Sequence, residues 1–310
     1  MTFEIESIKY RLGEKSVSVQ EICELTGKNY ARLIQRSGIE IVHRTAESEY
    51  LFFGKFLDQE LRVQHGDWVI FVNQSIAGLI PGKISALFVN QPEARNVSFI
   101  EISDGCTGFA RALIMGNSIL ESKLASRIHI VCAEKYSRFY DDQDESVSPI
   151  FSDAISATTL TSNGRIRIAG SKVVNFFADS AAISINLDSE GKEKIGMEGA
   201  RVLSWATREI PKVVFELLEE GELSIDQIGS WYVHQGSKIV VESIMDTLGV
   251  NPEDKFTSSQ IGNTVSSTIP IMLKDGYSTL GARYMSKGYA MLLGFGVGLS
   301  IVAILLEVIE

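Results

Sequence analysis

Short apolar runs alternate with amphipathic stretches along the whole chain. Runs rich in β-branched residues predict strands at 68–72, 97–102, 127–133, 150–160 and 230–233. Helical spacing and end signals predict helices at 18–27, 29–36, 49–64, 106–122, 199–220 and 237–248. The segment 172–177 is expected to be a connection that crosses between layers. Alternating strands and helices indicate an α/β layered fold.

The run from 289 to 306 is long enough to raise the question of a membrane span, because it contains no charged residue. Gly294, Gly296 and Gly298 lie in its middle, and each costs a helix about 1 kcal/mol. Two apolar strands around a glycine turn fit this pattern better. The run therefore predicts a buried β-hairpin.

A cysteine lies where one predicted strand gives way to a helix. Ser103-Asp104-Gly105 is a turn, and Cys106 opens a helix whose residues are apolar on nearly every face. Unpaired N–H groups and the positive end of the helix dipole favour a thiolate there. A packed free cysteine is the alternative, so a nucleophile needs partners elsewhere in the chain.

Three further segments could supply such partners. His234 follows a predicted strand and precedes an apolar helix, which repeats the pattern around Cys106 and suggests two similar halves. Asn263 lies in a turn before a helix of small residues. The glycine turn at 294–298 offers bare backbone N–H groups suited to an oxyanion.

Composition narrows the class of protein. The chain has 310 residues, a formal net charge of −10 and three widely spaced cysteines. The negative charge argues against nucleic acid or an anionic membrane as the main partner. The cysteines form neither a disulfide framework nor a zinc site, and no metal site is expected. Since no secretion signal is apparent at the start, a cytoplasmic protein is expected.

Taken together, these segments resemble the thiolase superfamily and, within it, the β-ketoacyl-ACP synthase III family. Cys106 and His234 are 128 residues apart, and Asn263 follows 29 residues later, in the order and at the separations of that family. The resemblance rests on five segments: Gln35-Arg36-Ser37-Gly38-Ile39, Asp104-Gly105-Cys106-Thr107-Gly108-Phe109, Val233-His234-Gln235, Gly262-Asn263-Thr264-x-x-Ser267-x-x-Pro270 and Gly294-Phe295-Gly296-Val297-Gly298.

The resemblance implies a five-layer αβαβα fold of two similar halves, at 1–163 and 164–310, and a homodimer, with a heterodimer possible. It implies that Cys106 takes an acyl group from acyl-CoA or a carrier protein. His234 and Asn263 would then act on a malonyl-type thioester, whose decarboxylation gives the carbanion that attacks the acyl group. No cofactor is implied beyond acyl-CoA as a substrate.

The resemblance also implies supporting roles for several residues. The backbone N–H groups of Cys106 and Val297 would form the oxyanion hole. Arg36 would contact the nucleotide end of CoA, and Ser237 would contact substrate. As a separate hypothesis, Leu79 and Ile80 would line or cap the acyl tunnel.

Departures from the family pattern favour a specialised, secondary-metabolic member. Ser237 stands where the family has asparagine, and Val297 where it prefers glycine or alanine. Three alternatives remain open. The protein could pass the acyl group to an oxygen, nitrogen or other carbon acceptor without decarboxylation. It could be a non-catalytic partner in a heterodimer. A cysteine hydrolase is the third alternative, although a buried tunnel disfavours water.

Overall fold

The computed structural model describes residues 2–75, 83–250, 256–275 and 288–309. Its strands are β1 (Phe3–Leu12), β2 (Lys15–Ser18), β3 (Ile41–Arg44), β4 (Trp68–Val72), β5 (Ser98–Ile102), β6 (Arg127–Glu134), β7 (Ala154–Ser162), β8 (Ile166–Asn175), β9 (Ile183–Leu187), β10 (Glu193–Met197), β11 (Ile228–Val233), β12 (Gly288–Gly296) and β13 (Ser300–Val308). Its α-helices are α1 (Val19–Thr26), α2 (Tyr30–Ser37), α3 (Glu49–Glu60), α4 (Lys83–Ala86), α5 (Gly108–Glu121), α6 (Gly199–Glu220), α7 (Lys238–Thr247) and α8 (Thr268–Asp275).

Nine strands follow one another in the order β11-β12-β13-β8-β1-β7-β6-β4-β5. The series consists of two runs that meet at one Cα pairing, between Phe3 of β1 and Ile166 of β8. The first run, β1-β7-β6-β4-β5, comes from the first half of the chain, and the second run, β8-β13-β12-β11, comes from the second half.

The two runs repeat the same pairing pattern. β1, β7 and β6 pair antiparallel in turn, and β6 then pairs parallel with β4. In the second run β8, β13 and β12 pair antiparallel, and β12 then pairs parallel with β11. Each strand of the second run therefore has a counterpart in the first, and β11 corresponds to β4.

The buried side chains divide the molecule into five layers. The helix α3 packs on the outer face of the first run, where Phe71 and Val131 lie. Residues of α5 and α8 pack between the runs, against Ile70 on one side and Leu292 on the other. The helices α6 and α7 cover the outer face of the second run. The predicted αβαβα fold is confirmed.

Local end signals placed several helices correctly. Asn29 caps α2 by accepting from the N–H of Arg32 at 2.9 Å, and Gly38 ends it with φ +69°. The long helix α6 runs through Pro211 as predicted. The run at 288–308 forms the predicted antiparallel hairpin of β12 and β13. Within the described ranges, no helix has both the length and the apolar character needed to cross a membrane.

Other sequence predictions were wrong. The segment 172–177 does not cross between layers, because residues up to Asn175 belong to β8 and pair with β13. The strand predicted from 150 begins at Ala154, and the helix predicted to 64 ends at Glu60. The strands β1, β2, β3, β9 and β10 were not predicted.

Candidate active site

Cys106 lies in a tight turn between β5 and α5. Gly105–Thr107 form a 3₁₀ turn, and α5 begins at Gly108, so the cysteine precedes the helix rather than lying in its first turn. Gly105 has φ +39°, and a side chain there would collide with that of Gln74. The Thr107 hydroxyl donates to Asp104 Oδ2 at 2.8 Å, and Arg111 pairs with the same carboxylate. These contacts fix the turn that presents the thiol.

A second turn of the same form lies in the other half. Val265–Ser267 form a 3₁₀ turn that leads directly into α8. Val265 has φ +55°, as Gly105 has a positive φ, so Ser266 occupies the position that corresponds to Cys106. The sequence-based pairing of the Cys106 and His234 segments was wrong, because His234 follows β11, whose counterpart is β4.

Asn263 precedes the second turn, and both its backbone N–H and its backbone carbonyl are hydrogen-bonded. Its N–H donates to Ile150 O at 2.9 Å, and its carbonyl accepts from the N–H of Ser152 at 2.9 Å. Its side-chain oxygen accepts from the N–H of Val265 at 2.9 Å. Because that oxygen is occupied, the amide NH₂ group is the part of Asn263 left to act as a donor.

His234 continues from β11 and is buried. Its N–H donates to Leu293 O at 2.8 Å, and its ring packs edge-on against Phe295 with centroids 5.3 Å apart. Burial lowers the pKa of His234 to about 3, so the imidazole is neutral at physiological pH. Among the described residues, no hydrogen-bond partner is found for Nδ1.

The glycine turn between β12 and β13 lies against the cysteine. A side chain at Gly296 would place its Cβ 2.8 Å from Cys106 Cβ and 3.0 Å from Sγ, which no normal contact allows. The N–H of Val297 is hydrogen-bonded to the Cys106 thiol. Bare backbone at this turn therefore reaches the sulfur, as the glycine pattern predicted.

These residues line one cavity of ≈ 330 Å³. Cys106, His234, Asn263 and Val297 line it together with two residues that the sequence associated with substrate, Arg36 and Ser237. Its walls are mainly apolar and include Phe151, Ile183, Met197, Val202, Val240 and Phe295. Leu79 and Ile80 lie outside the described residues.

The expected thiolate at Cys106 is not found. Burial raises the pKa of the Cys106 thiol to about 12, and the carboxylates of Glu134 and Asp104 act in the same direction. The hydrogen bond from Val297 opposes this increase but does not cancel it. Desolvation of the charged form opposes the pull of the helix N-terminus, and at a pKa of about 12 the cysteine is a neutral thiol before it reacts.

One acidic residue beneath the site was missed by the sequence analysis. Glu134 ends β6, is completely buried and influences the Cys106 thiol. Its only sequence signal is a carboxylate that directly follows the run Ile128–Ala133, whose residues are nearly all apolar. Burial raises the pKa of Glu134 to about 8.

Comparisons with known proteins cover both halves of the chain. A family model described as 3-oxoacyl-[acyl-carrier-protein] synthase III matches residues 100–182, and the corresponding C-terminal model matches residues 218–308. These ranges contain Cys106, His234 and Asn263.

Full-length relatives show the same similarity. The chain is 25% identical to β-ketoacyl-[acyl-carrier-protein] synthase III of Lactococcus lactis subsp. cremoris MG1363, covering 97% of this chain and 98% of the relative. The structure of 3-oxoacyl-[acyl-carrier-protein] synthase III from Aquifex aeolicus VF5 superposes with a TM-score of 0.84 at 21% identity, over 98% and 99% of the two chains. The priming β-ketosynthase of the R1128 polyketide biosynthetic pathway gives a TM-score of 0.83 at 20% identity, over 100% and 97%.

Proposed function

The chain belongs to the 3-oxoacyl-[acyl-carrier-protein] synthase III family, and from this premise we propose that it is an acyltransferase that performs a decarboxylative condensation. One observation carries the proposal. A thiol, a neutral imidazole and an amide donor line the same apolar cavity, beside bare backbone N–H groups. This set supplies a nucleophile, two donors for an enolate and an oxyanion hole.

The first step transfers an acyl group from a thioester to Cys106. The sulfur attacks the acyl carbonyl, the carbon–sulfur bond of the donor breaks, and the thiol proton leaves with the donor's sulfur. The N–H groups of Cys106 and Val297 hold the oxyanion of the tetrahedral intermediate. Because the thiol is neutral at rest, its proton has to move as the sulfur attacks.

The second step makes the carbon–carbon bond. A malonyl-type thioester loses carbon dioxide, and the electron pair of the broken bond passes to its carbonyl as an enolate. His234 and the Asn263 amide donate hydrogen bonds to that oxygen. The enolate carbon then attacks the acyl carbon on Cys106, and the cysteine sulfur leaves and takes up a proton. Both steps balance without electron transfer, so we propose acyl-CoA as a substrate and no bound cofactor.

We propose that the mouth of the cavity receives the anionic end of the acyl donor. Arg36 is exposed where it lines the cavity, and Arg32 lies one helical turn before it on α2. No acidic partner within ion-pair distance of either arginine is found in the described ranges. Two cations at this mouth suit the phosphates of CoA or of a carrier protein's prosthetic group, and Ser237 lies beside them.

We propose a cytoplasmic homodimer joined along β5. Among the residues that the structure describes, this strand ends the nine-strand series and pairs only with β4, although Phe99, Ile100 and Ile102 are apolar. An unprotected apolar edge strand favours pairing with a second copy. The halves 1–163 and 164–310 would then each supply part of every site. A molar mass in solution of twice the chain mass supports this arrangement, and a monomer excludes it.

Intact-protein mass tests the first step. Wild type and Cys106→Ser are incubated with acyl-CoAs of increasing length, and with acyl carrier protein as the alternative donor. We expect wild type alone to gain one acyl group. No adduct with any donor would favour a non-catalytic subunit, and an equal adduct on Cys106→Ser would exclude Cys106 as the nucleophile.

Labelled carbon dioxide tests the second step. The acylated enzyme is given carboxyl-labelled malonyl-CoA or malonyl-ACP, and we expect one carbon dioxide for each acyl group consumed. Loss of the acyl group to another acceptor without carbon dioxide would favour the non-decarboxylating acyltransferase.

We propose that the enzyme works in specialised metabolism. The similarity to the R1128 priming ketosynthase supports this setting, as do the residues Ser237 and Val297.

A further inference from the structure

Glu134 is a buried carboxyl group that the proposed chemistry does not use. It is fully buried, and no ion pair with Lys, Arg or His is found for it in the part of the chain that the structure describes. A buried carboxylate without a cation lowers the stability of the fold unless its oxygens are well hydrogen-bonded. What those oxygens contact therefore indicates why the group is there.

The two oxygens of Glu134 connect separate parts of the site. Oε2 accepts from the N–H of Gln74, just after β4, at 3.1 Å. Oε1 accepts from the Ser266 hydroxyl at 3.2 Å. The N–H of Ser75 also donates to this carboxylate. Glu134 thus joins the end of β4 in the first half to the turn after Asn263 in the second half.

That turn has a strained backbone. Val265 has φ +55°, a conformation that β-branched residues rarely adopt, so surrounding contacts have to hold it. The same turn orients the Asn263 amide, since the N–H of Val265 occupies its oxygen. If the turn relaxed, that N–H would rotate away and the amide would be free to turn over.

We propose that Glu134 is a positioning residue for the condensation step, acting through Ser266 to hold the Val265 turn and thereby aim the Asn263 amide NH₂ at the enolate. The proposal rests on the proposed function for the role of Asn263. It assigns Ser266, the counterpart of Cys106, a structural hydrogen bond rather than a chemical step.

The role predicts different effects on the two steps. Loading of Cys106 uses the thiol and the backbone N–H groups, whereas condensation also needs the Asn263 amide. We expect Glu134→Ala and Ser266→Ala to lower carbon dioxide release ten- to hundredfold and to lower loading by less than threefold. The double variant should be no slower than Glu134→Ala, because both changes break one connection.

Two variants serve as controls. In Glu134→Gln the amide oxygen accepts from Gln74 and the amide nitrogen donates to the Ser266 oxygen, so condensation should stay within threefold of wild type. Ser156→Ala removes a buried hydroxyl that contacts the Ser267 hydroxyl at 2.9 Å. Ser267 belongs to the same turn as Ser266, but this contact does not involve Glu134. It should also stay within threefold.

A crystal structure of Ser266→Ala provides a readout that does not depend on turnover. We expect Val265 to return to negative φ and to lose its hydrogen bond to Asn263. An unchanged turn overturns the proposal, as does an equal loss of loading and condensation, or a glutamine variant no faster than the alanine variant. A wild-type enzyme that releases no carbon dioxide contradicts the proposed function instead, and the relaxed turn would still support the anchoring role.

Discussion

The turns at Cys106 and Ser266 have the same backbone form but opposite surroundings. Each is a 3₁₀ turn with a positive φ at its first residue, and each leads into a helix of the middle layer. In the first, glycine takes the strained position and the thiol lines the cavity. In the second, valine takes it, and the Ser266 hydroxyl is bonded to Glu134.

The difference shows how a duplicated scaffold can divide one task. The Cys106 turn leaves its reactive atom accessible, and a glycine accommodates its geometry at little cost. The Ser266 turn uses the corresponding atom to hold a strained backbone, and the group that faces the cavity is Asn263, three residues earlier. One turn provides the nucleophile, and the other orients a donor.

The largest expected effect is on acyl loading, when the residue at one turn or at the other is replaced by alanine. Cys106→Ala should lower acyl loading by at least about 10³-fold, because no other described thiol lines the cavity. Ser266→Ala should leave loading within about threefold. Single-turnover loading followed by intact mass measures both, and equal losses would contradict the division of roles.

Stability should distinguish the two strained positions. Gly105→Ala forces alanine into a left-handed conformation, which costs about 1–2 kcal/mol, and displaces the Gln74 side chain from its hydrogen bond with Tyr136, which costs about 0.5–1.5 kcal/mol. Val265→Gly relieves about 1–2 kcal/mol of the same strain but loses the stabilisation of about 1.5–3 kcal/mol that burial of the valine side chain contributes.

Urea unfolding should therefore show a large loss of unfolding free energy for Gly105→Ala. For Val265→Gly the net change should be within about 2 kcal/mol. A larger loss in the valine variant than in the glycine variant would mean that Val265 contributes packing and that its backbone is not strained.

Reactivity with iodoacetamide tests the neutral thiol. Since the pKa of Cys106 is about 12, the thiolate fraction and the alkylation rate should rise about tenfold per pH unit between pH 7 and 9. A plateau in this range would mean a lower pKa, as the helix N-terminus alone would predict. Cys106→Ser identifies any background alkylation at Cys23 or Cys132.

A further effect concerns the pH dependence of stability. The pKa of Glu134 rises from 4.5 in the unfolded chain to about 8 in the folded protein. Between these values the folded state binds more protons, so this group lowers stability as pH increases from 4.5 towards 8. Glu134→Gln lacks that contribution, and its urea midpoint should fall less over the same range. Parallel curves would contradict the assignment.

Much of the fold could be predicted where the signals are local. Caps and glycine stops predicted α1 and α2, and the apolar run broken by glycines predicted the final hairpin. β1 was missed because its pairing register shifts between Ile5 and Ser7, which breaks the alternation of apolar and polar residues. The register of β8 with β13 also shifts, between the partners of Leu305 and Leu306.

The candidate site was predictable as a set of residues but not as an arrangement. Cys106, His234, Asn263, Val297, Arg36 and Ser237 line one cavity, while their individual roles stay predictions. Glu134 and Ser266 are 132 residues apart, and no local pattern signals their hydrogen bond. The turn that matches Cys106 could be identified only from strand pairing order.

The position of β1 has a consequence for how the molecule is made. β1 lies between β7 and β8, and Phe3 pairs with Ser162 and Ile166. β1 therefore leaves the ribosome some 160 residues before the partners of Phe3, roughly 8–30 s earlier at ordinary synthesis rates. During that interval its apolar side chains are exposed to other chains. We expect chaperone binding and slow folding to concentrate on this strand.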